Sequence, residues 1–233
     1  MPHKPTGDWL QSIGFFGDLS KPGRAIAQRD MELLEFEPGQ MIVAQSEAGQ
    51  DVYFLLSGSA RAALFSPAGR KVGFRVIETG DIFGELAAID QLPRSASVEA
   101  EVHCSAARLT AAAFWHLLAI EPGFTANLLK HLVTMNRVLT ERVYEFSAMP
   151  VRCRVQSELL RMVTHDGSKS GRAWIDPAPT HEVIASRIST HREAVSRELS
   201  RLTRLGLIKR QGSALVVMGL EQLQQMVRDA AEK

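Results

Sequence analysis

Apolar positions between residues 31 and 109 come in short runs: MELLEF, MIVAQ, DVYFLL, ARAALF and VGFRVI. EPGQ, SEAGQ, SGS, SPAGRK and ETGD follow them in turn, and every break carries Gly or Pro. Short runs punctuated at about every tenth residue predict a small antiparallel roll, sandwich or barrel. Residues 8–20 are mixed and predict one or two helical turns. From Thr110 the period changes. TAAAFWHLLAI predicts a short helix closed by Pro122-Gly123, and a longer helix is predicted from about Phe124 to Ser147. In it Leu128, Leu132, Met135, Leu139, Arg142 and Phe146 alternate at spacings of four and three. That is the seam of a coiled coil with one charged intruder, Arg142. The stripe is expected to face a twin helix from a second copy; packing on its own domain is the alternative. Met149-Pro150 ends the helix and reads as a hinge.

After the hinge, VRCRVQSELLRMV predicts a helix, HDGSKSG a loop and RAWIDP a short strand. THEVIASRISTHREAVSRELSRLTRLG predicts two helices joined near Ser189. LIKRQG and SALVVM form a hairpin, and GLEQLQQMVRDAAEK a closing helix. Helix, tight turn, helix and hairpin together predict a winged helix-turn-helix. The chain thus reads as α+β in three segments: a β-roll over 1–123, a dimerisation helix and hinge over 124–149, and the winged domain over 150–233.

Length and composition narrow the choices. A chain of 233 residues with 45% apolar and 23% charged side chains suits two ordinary domains. No apolar run approaches the ~20 residues needed to cross a bilayer. MPHKPTGDWLQSIGFF lacks the basic start, apolar core and cleavage site of an export signal, so a cytoplasmic location is expected. Cys104 and Cys153 lie outside any C-x-x-C pattern and are expected to be reduced and buried. The seven histidines form no H-x-x-x-H, and no metal site is expected. Charge is uneven: residues 1–150 carry 13 basic and 17 acidic side chains, residues 151–233 carry 14 and 9. A polyanion would therefore meet the second half.

In the second of the paired helices, Val195, Leu199, Leu202 and Leu205 make the inward stripe. Arg192, Glu193, Ser196, Arg197, Ser200 and Arg204 then point outward. Arginines suit guanine edges and phosphates, and a glutamate can accept from cytosine N4. Arg197, one turn into the helix, is expected to read a base; Arg201 and Arg204 are phosphate clamps or solvated charges. Thr180, Thr190 and His191 complete the candidate DNA set, with Lys209, Arg210 and Gln211 at the hairpin turn. Thr190-His191-Arg192-Glu193 also fits a capping box, in which Glu193 would close its own helix.

The first half carries a different chemistry in FGELAAIDQLPRSASVEA, residues 83–100. Gly84 permits close backbone approach, and Glu85 to Ile89 predict a short helix. Arg94 and Ser95 can reach the same spot, and Ala96 leaves room. A carboxylate for a sugar hydroxyl beside a guanidinium for a phosphate describes a nucleotide pocket. A plain Glu85–Arg94 ion pair is the alternative, although a surface pair is worth only ~0–1 kcal/mol. An acid/base enzyme is not expected: no nucleophile–base set is visible, and the nearest histidine, His103, lies in strand texture.

G-E-L followed by P-R-S-A-S resembles the phosphate-binding cassette of cyclic-nucleotide-binding domains. Nearly the full chain resembles the catabolite activator protein family, the cAMP receptor and fumarate–nitrate regulators of bacterial transcription. The Glu85–Arg94 spacing is that of cAMP-dependent kinase regulatory subunits. The resemblance implies a cyclic-nucleotide-binding β-roll, a homodimer and a palindromic DNA operator, with RNA polymerase as a further partner. It implies that Glu85 accepts the ribose 2′-OH, that Arg94 and Ser95 hold the cyclic phosphate, and that backbone at Gly84 and Leu86 assists. cAMP is the first ligand it implies and cGMP the second, with no metal. Two adjacent hydroxyls that meet adenine in the family fall at Leu139 and Thr140, so the first is missing, and Asn136 can reach the purine instead. Glu193-x-x-Ser196-Arg197 resembles the fumarate–nitrate branch and Arg192 the cAMP-receptor branch, which leaves TGTGA-like and TTGA-like half-sites open. A regulator of the same fold that senses redox state, haem or gas, or that needs no ligand, is the alternative.

Overall fold

Two four-stranded antiparallel sheets carry the first half of the chain. The structure, a computed structural model, describes residue 10 and residues 13–65, 71–163 and 172–231. One sheet has the order β1 (Met31–Phe36), β8 (Cys104–Leu109), β3 (Val52–Ser57), β6 (Ile82–Phe83). The other has the order β2 (Met41–Val43), β7 (Ser97–Ala100), β4 (Ser59–Phe65), β5 (Lys71–Glu78). In β3 alternate side chains point to opposite faces. Tyr53 and Leu55 enter the core with Phe36, Val98 and Ala106, while Val52 and Phe54 enter a second core with Phe16, Phe114 and Phe124. Burial on both faces is why this strand reads as a continuous apolar run. His103, expected in a strand, lies in the bend between β7 and β8.

Helices cover the second core. Helix α1 (Lys21–Asp30) has no counterpart in the hydrophobic pattern, but its start is written in Ser20-Lys21-Pro22. Ser20 Oγ accepts from the Gly23 N–H at 3.3 Å, and Pro22 sits in the first turn, where a missing N–H costs nothing. Helix α2 (Glu85–Asp90) is the short helix expected after Gly84. Pro122-Gly123, expected to close α3 (Ala111–Ile120), instead opens α4 (Pro122–Ala148).

Packing divides the chain between Asn136 and Arg137, inside α4. Of the expected seam, Leu139 and Phe146 are exposed, while Leu128 and Arg142 are engaged within the fold. Leu128 is only 4% exposed, packed in the β-roll core, and Arg142 is paired with Glu145 and Glu158. The exposed apolar stripe runs instead through Leu129, Leu139, Val143 and Phe146, with half-buried Leu132 and polar Asn136 completing a spacing of three and four.

The second unit is α5 (Val151–Met162), β9 (Ala173–Ile175), α6 (His181–Arg187), α7 (Arg192–Arg204), β10 (Ile208–Gln211), β11 (Ala214–Val217) and α8 (Leu220–Ala231). The strands form one antiparallel sheet, β10-β11-β9. The HDGSKSG loop lies outside the described residues. The corner at Met149-Pro150 is clamped: Met149 is buried, Arg142 pairs with Glu158 at 3.0 Å, Glu145 pairs with Arg161, and the Arg154 guanidinium lies 5.5 Å from the Phe146 ring centroid. In α7 the inward stripe is Val195, Glu198, Leu199 and Leu202; Leu205 is 55% exposed. The helix ends before it. Gly206, at φ +73°, donates its N–H to Thr203 O, and Leu207 N–H donates to Leu202 O, both at 3.0 Å. This Schellman closure delivers Leu207 to the core in place of Leu205.

Candidate ligand pocket and nucleic-acid interface

At Gly84 the chain leaves β6 with φ +81°, and a Cβ there would lie 2.7 Å from Arg94 Nη1 and 2.9 Å from Asp51 O. Glycine is required by both backbone conformation and space. What fills that space is the Arg94 guanidinium. Its Nη1 donates to Gly84 O at 2.9 Å and its Nη2 to Asp51 O at 2.8 Å, and the group lies 5.9 Å from the Tyr53 ring centroid. The Arg94 backbone is zipped to the preceding loop, donating to Glu47 O at 3.0 Å and accepting from Ser46 N at 2.9 Å. Gln45 N–H adds a bond to Ser97 Oγ at 2.9 Å. Asp51, Tyr53 and Glu47 are far from Arg94 in sequence, and no local motif marks them.

Glu85 and Arg94 are each 6% exposed. Burial pushes the Glu85 carboxyl above the ordinary glutamate range, opposed by its own backbone N–H and by the charges of Arg75 and then Arg94. Burial also holds the Arg94 guanidinium below its ordinary value. Among the described residues no ion pair joins the two. A buried acid and a buried base that do not neutralise each other directly form an incomplete polar site. It suits a ligand that offers a hydroxyl to one and an anion to the other. Ser95 is exposed, Ala96 half-buried and Leu86 exposed. Asn136 lies in the first unit, while Leu139 and Thr140 lie beyond the division, in the second. Among the described residues no group of three or more His, Cys, Asp or Glu is placed to hold a metal, and no helix is long and apolar enough to cross a membrane.

In the second unit the candidate DNA residues separate into two groups. His191, Arg192, Glu193, Arg197, Ser200 and Arg204 are exposed along α7. The capping box is not made: His191 is the N-cap, no side chain caps the helix, and Glu193 stays exposed in the first turn. Others are engaged within the fold. Thr180 Oγ1 caps α6 by accepting from Val183 N at 3.2 Å. Ser196 Oγ is 2.6 Å from His181 Nδ1, which pins α7 to the start of α6. Arg201, rather than standing free, forks onto Glu198 with both bonds at 2.8 Å, and Glu198 accepts from Gln156 Nε2 at 2.6 Å. Thr190 is half-buried, its N–H bonded to Ala185 O at 2.9 Å. A groove of about 610 Å³ follows α7 and the start of α5, lined by Arg152, Arg197, Ser200, Arg201 and Arg204 among others. Lys209, Arg210 and Gln211 are exposed on the wing.

Residues 33–121 match the cyclic nucleotide-binding domain family, and residues 153–226 match the Crp-like helix-turn-helix domain family. The chain belongs to the catabolite activator and fumarate–nitrate regulator family of transcription regulators. It is 24% identical over 220 residues to a CRP-like cAMP-activated global transcriptional regulator of Mycobacterium tuberculosis, covering 94% of this chain and 98% of that one. A stretch of 93 residues is 36% identical to a cGMP-dependent protein kinase of Toxoplasma gondii, 40% of this chain and 9% of the kinase. The fold is that of a CooA variant from Carboxydothermus hydrogenoformans, with a TM-score of 0.77, 16% identity and coverage of 97% and 98%. As a family regulator, the protein joins a cyclic-nucleotide-binding domain to a helix-turn-helix domain.

Proposed function

We propose that this regulator is a cytoplasmic homodimer whose grip on a palindromic operator is set by a cyclic purine nucleotide, cAMP or cGMP. The observation that carries the reading is the buried Arg94 guanidinium, held by two backbone carbonyls beside a buried Glu85 with which it makes no ion pair. Arg94 and Ser95 hold the cyclic phosphate, Glu85 accepts the ribose 2′-OH, and Gly84 and Leu86 contribute backbone. Asn136, Leu139 and Thr140 are the purine-side candidates on α4. The exposed stripe of α4 meets its twin, and an Asn in such a seam sets register. On the DNA side Arg197 reads a base, while Lys209 and Arg210 hold phosphates. RNA polymerase is the downstream partner. The named relatives support both nucleotides: the mycobacterial regulator is cAMP-activated, the kinase cGMP-dependent.

Calorimetric titration of the purified protein with each nucleotide tests the reading. Arg94→Ala removes charge-assisted hydrogen bonds worth ~1.5–3 kcal/mol each and should weaken binding at least tenfold. No binding of either nucleotide to the wild type at millimolar concentration, or an unchanged Kd in the variant, overturns it.

A further inference from the structure

One candidate DNA contact of α7 is engaged by another helix. Arg192, Ser196 and Ser200 follow one another at intervals of four and so share a face. Arg192 and Ser200 are exposed, whereas Ser196 is half-buried, and its Oγ lies 2.6 Å from Nδ1 of His181. Other helical hydroxyls here bond their own helix: Thr203 donates to Leu199 O and Thr134 to Lys130 O, both at 2.9 Å. Ser196 reaches across to α6 instead. The framework fixes both ends of that bond. His181 is the first residue of α6, whose start is set by the Thr180 cap. The two helices share a core through buried Ile184, Ala185, Val195 and Leu199. A separation of 2.6 Å is at the short end for a hydroxyl bond. To meet a base, the hydroxyl must leave the rotamer in which it is bonded and strip the imidazole nitrogen of its partner. Exchanging one neutral bond for another gives little discrimination.

We propose that His181 is a positioning residue for operator recognition: it holds Ser196 out of base reading, so that of the candidate triplet Glu193, Ser196 and Arg197 only the two charged members read DNA. The assignment rests on α7 being the helix that reads DNA. Glu193 as a carboxylate only accepts and Arg197 only donates, so each matches base edges of one polarity. A serine hydroxyl can do either and suits both kinds of edge. Held by His181, it leaves specificity to two groups of fixed polarity; released, it adds a third contact. His181 thereby sets the half-site without itself touching a base.

The test is selection of half-sites from randomised DNA at millimolar cAMP and, separately, at millimolar cGMP. The proteins compared are the wild type, Ser196→Ala, His181→Ala, His181→Asn, the Ser196→Ala/His181→Ala double variant and Arg197→Ala, with thermal melts to report folding. Wild type and Ser196→Ala should select the same half-site. His181→Ala should gain a preference of about fivefold at one further base pair, the worth of one neutral hydrogen bond, and the double variant should lose it again. His181→Asn, whose amide can bond the hydroxyl in place of the imidazole nitrogen, should keep the wild-type half-site. Ser196→Ala puts the best helix former into α7, so its arm decides even if His181→Ala does not fold. If Ser196→Ala changes the half-site, if folded His181→Ala does not, or if the double variant keeps the shift, the assignment is wrong although α7 reads DNA. If the wild type selects no half-site, or Arg197→Ala selects the wild-type one, the reading of α7 itself fails and takes the assignment with it.

Discussion

Glu158→Gln should cost the second unit about 3 kcal/mol, the lower end of what breaking a buried ion pair costs. Glu158 has a side chain only 2% exposed and faces Arg161 at 2.8 Å, Arg142 at 3.0 Å and Arg187 at 3.4 Å. Glu145 is the other carboxylate of the cluster, pairing with Arg161 and lying 3.8 Å from Arg142. Three guanidiniums therefore share two carboxylates, and the substitution leaves them one. Arg161, at 35% exposure, can turn toward water; Arg142 and Arg187, at 16% and 19%, have less freedom to do so. The loss thus exceeds the ~0–1 kcal/mol of a surface pair, while Glu145 keeps it below the upper end of the buried range. For a unit of about a hundred residues each kcal/mol moves Tm by about 4–8 °C, so a fall of roughly 12–24 °C is expected by scanning calorimetry. Arg142→Met alone should destabilise less, and the double variant should cost less than the two single changes together, because both act in one network. A loss under about 1 kcal/mol, or strict additivity, would mean that the cluster is effectively solvated and does not clamp the corner at Met149-Pro150.

Three further outcomes are expected. Burial raises the Glu85 pKa in the ligand-free fold, so its stability contribution is full below the ordinary glutamate value and lost as pH rises through the raised one. Nucleotide binding has the opposite sign, since the carboxylate must be ionised to accept well: affinity should fall as pH drops through the raised value, and a titration series in which Glu85→Gln keeps the wild-type pH dependence would refute this. Val143→Glu places a charge on a side chain 65% exposed in the single chain, so light scattering should report dissociated protomers while far-UV circular dichroism stays unchanged; an intact dimer would move the interface elsewhere. Arg197→Ala should relax base choice at a cost of ~1–3 kcal/mol, whereas Lys209→Ala should weaken all sequences alike and lower the salt slope by about one, both read from operator-variant binding at several salt concentrations.

Local chemistry decides which of these features are legible in the sequence. The β-roll is legible because Gly and Pro end each apolar run, and the winged domain because helical and alternating periods succeed each other in order. Glu85 and Arg94 are legible because the small helix between them brings a fixed spacing to one place. The α4 seam is legible as a stripe but not as a face. Leu128 and Leu129 sit side by side on the helix, and only the core formed by Phe16, Phe114 and Phe124 decides that Leu128 turns inward. Leu205 fails for a similar reason, since the closure at Gly206 ends the helical repeat one residue early. Arg201 has its partner Glu198 one turn earlier on α7, within reach of a sequence reading, and the fold adds only Gln156 from α5, which donates to that carboxylate. Asp51 and Tyr53 escape entirely, because they reach Arg94 only through strand pairing.

The two ends of α4 are anchored by different means. Phe124 and Leu128 fix its beginning in the β-roll core, and Arg142 and Glu145 fix its end in the ion network of the second unit. Between them, from Val133 to Glu141, no side chain is buried in the single chain. A helical stretch with neither core contacts nor a strong propensity is marginal in water. On the dimer reading, the twin helix supplies the missing contacts over this stretch, the same one that carries Asn136, Leu139 and Thr140. Ordering of the stretch, pairing of the protomers and occupancy of the purine site then draw on the same residues, and each should stabilise the others by mass action. Nucleotide should accordingly tighten the dimer, and by reciprocity the dimer should bind nucleotide more tightly than a Val143→Glu protomer does.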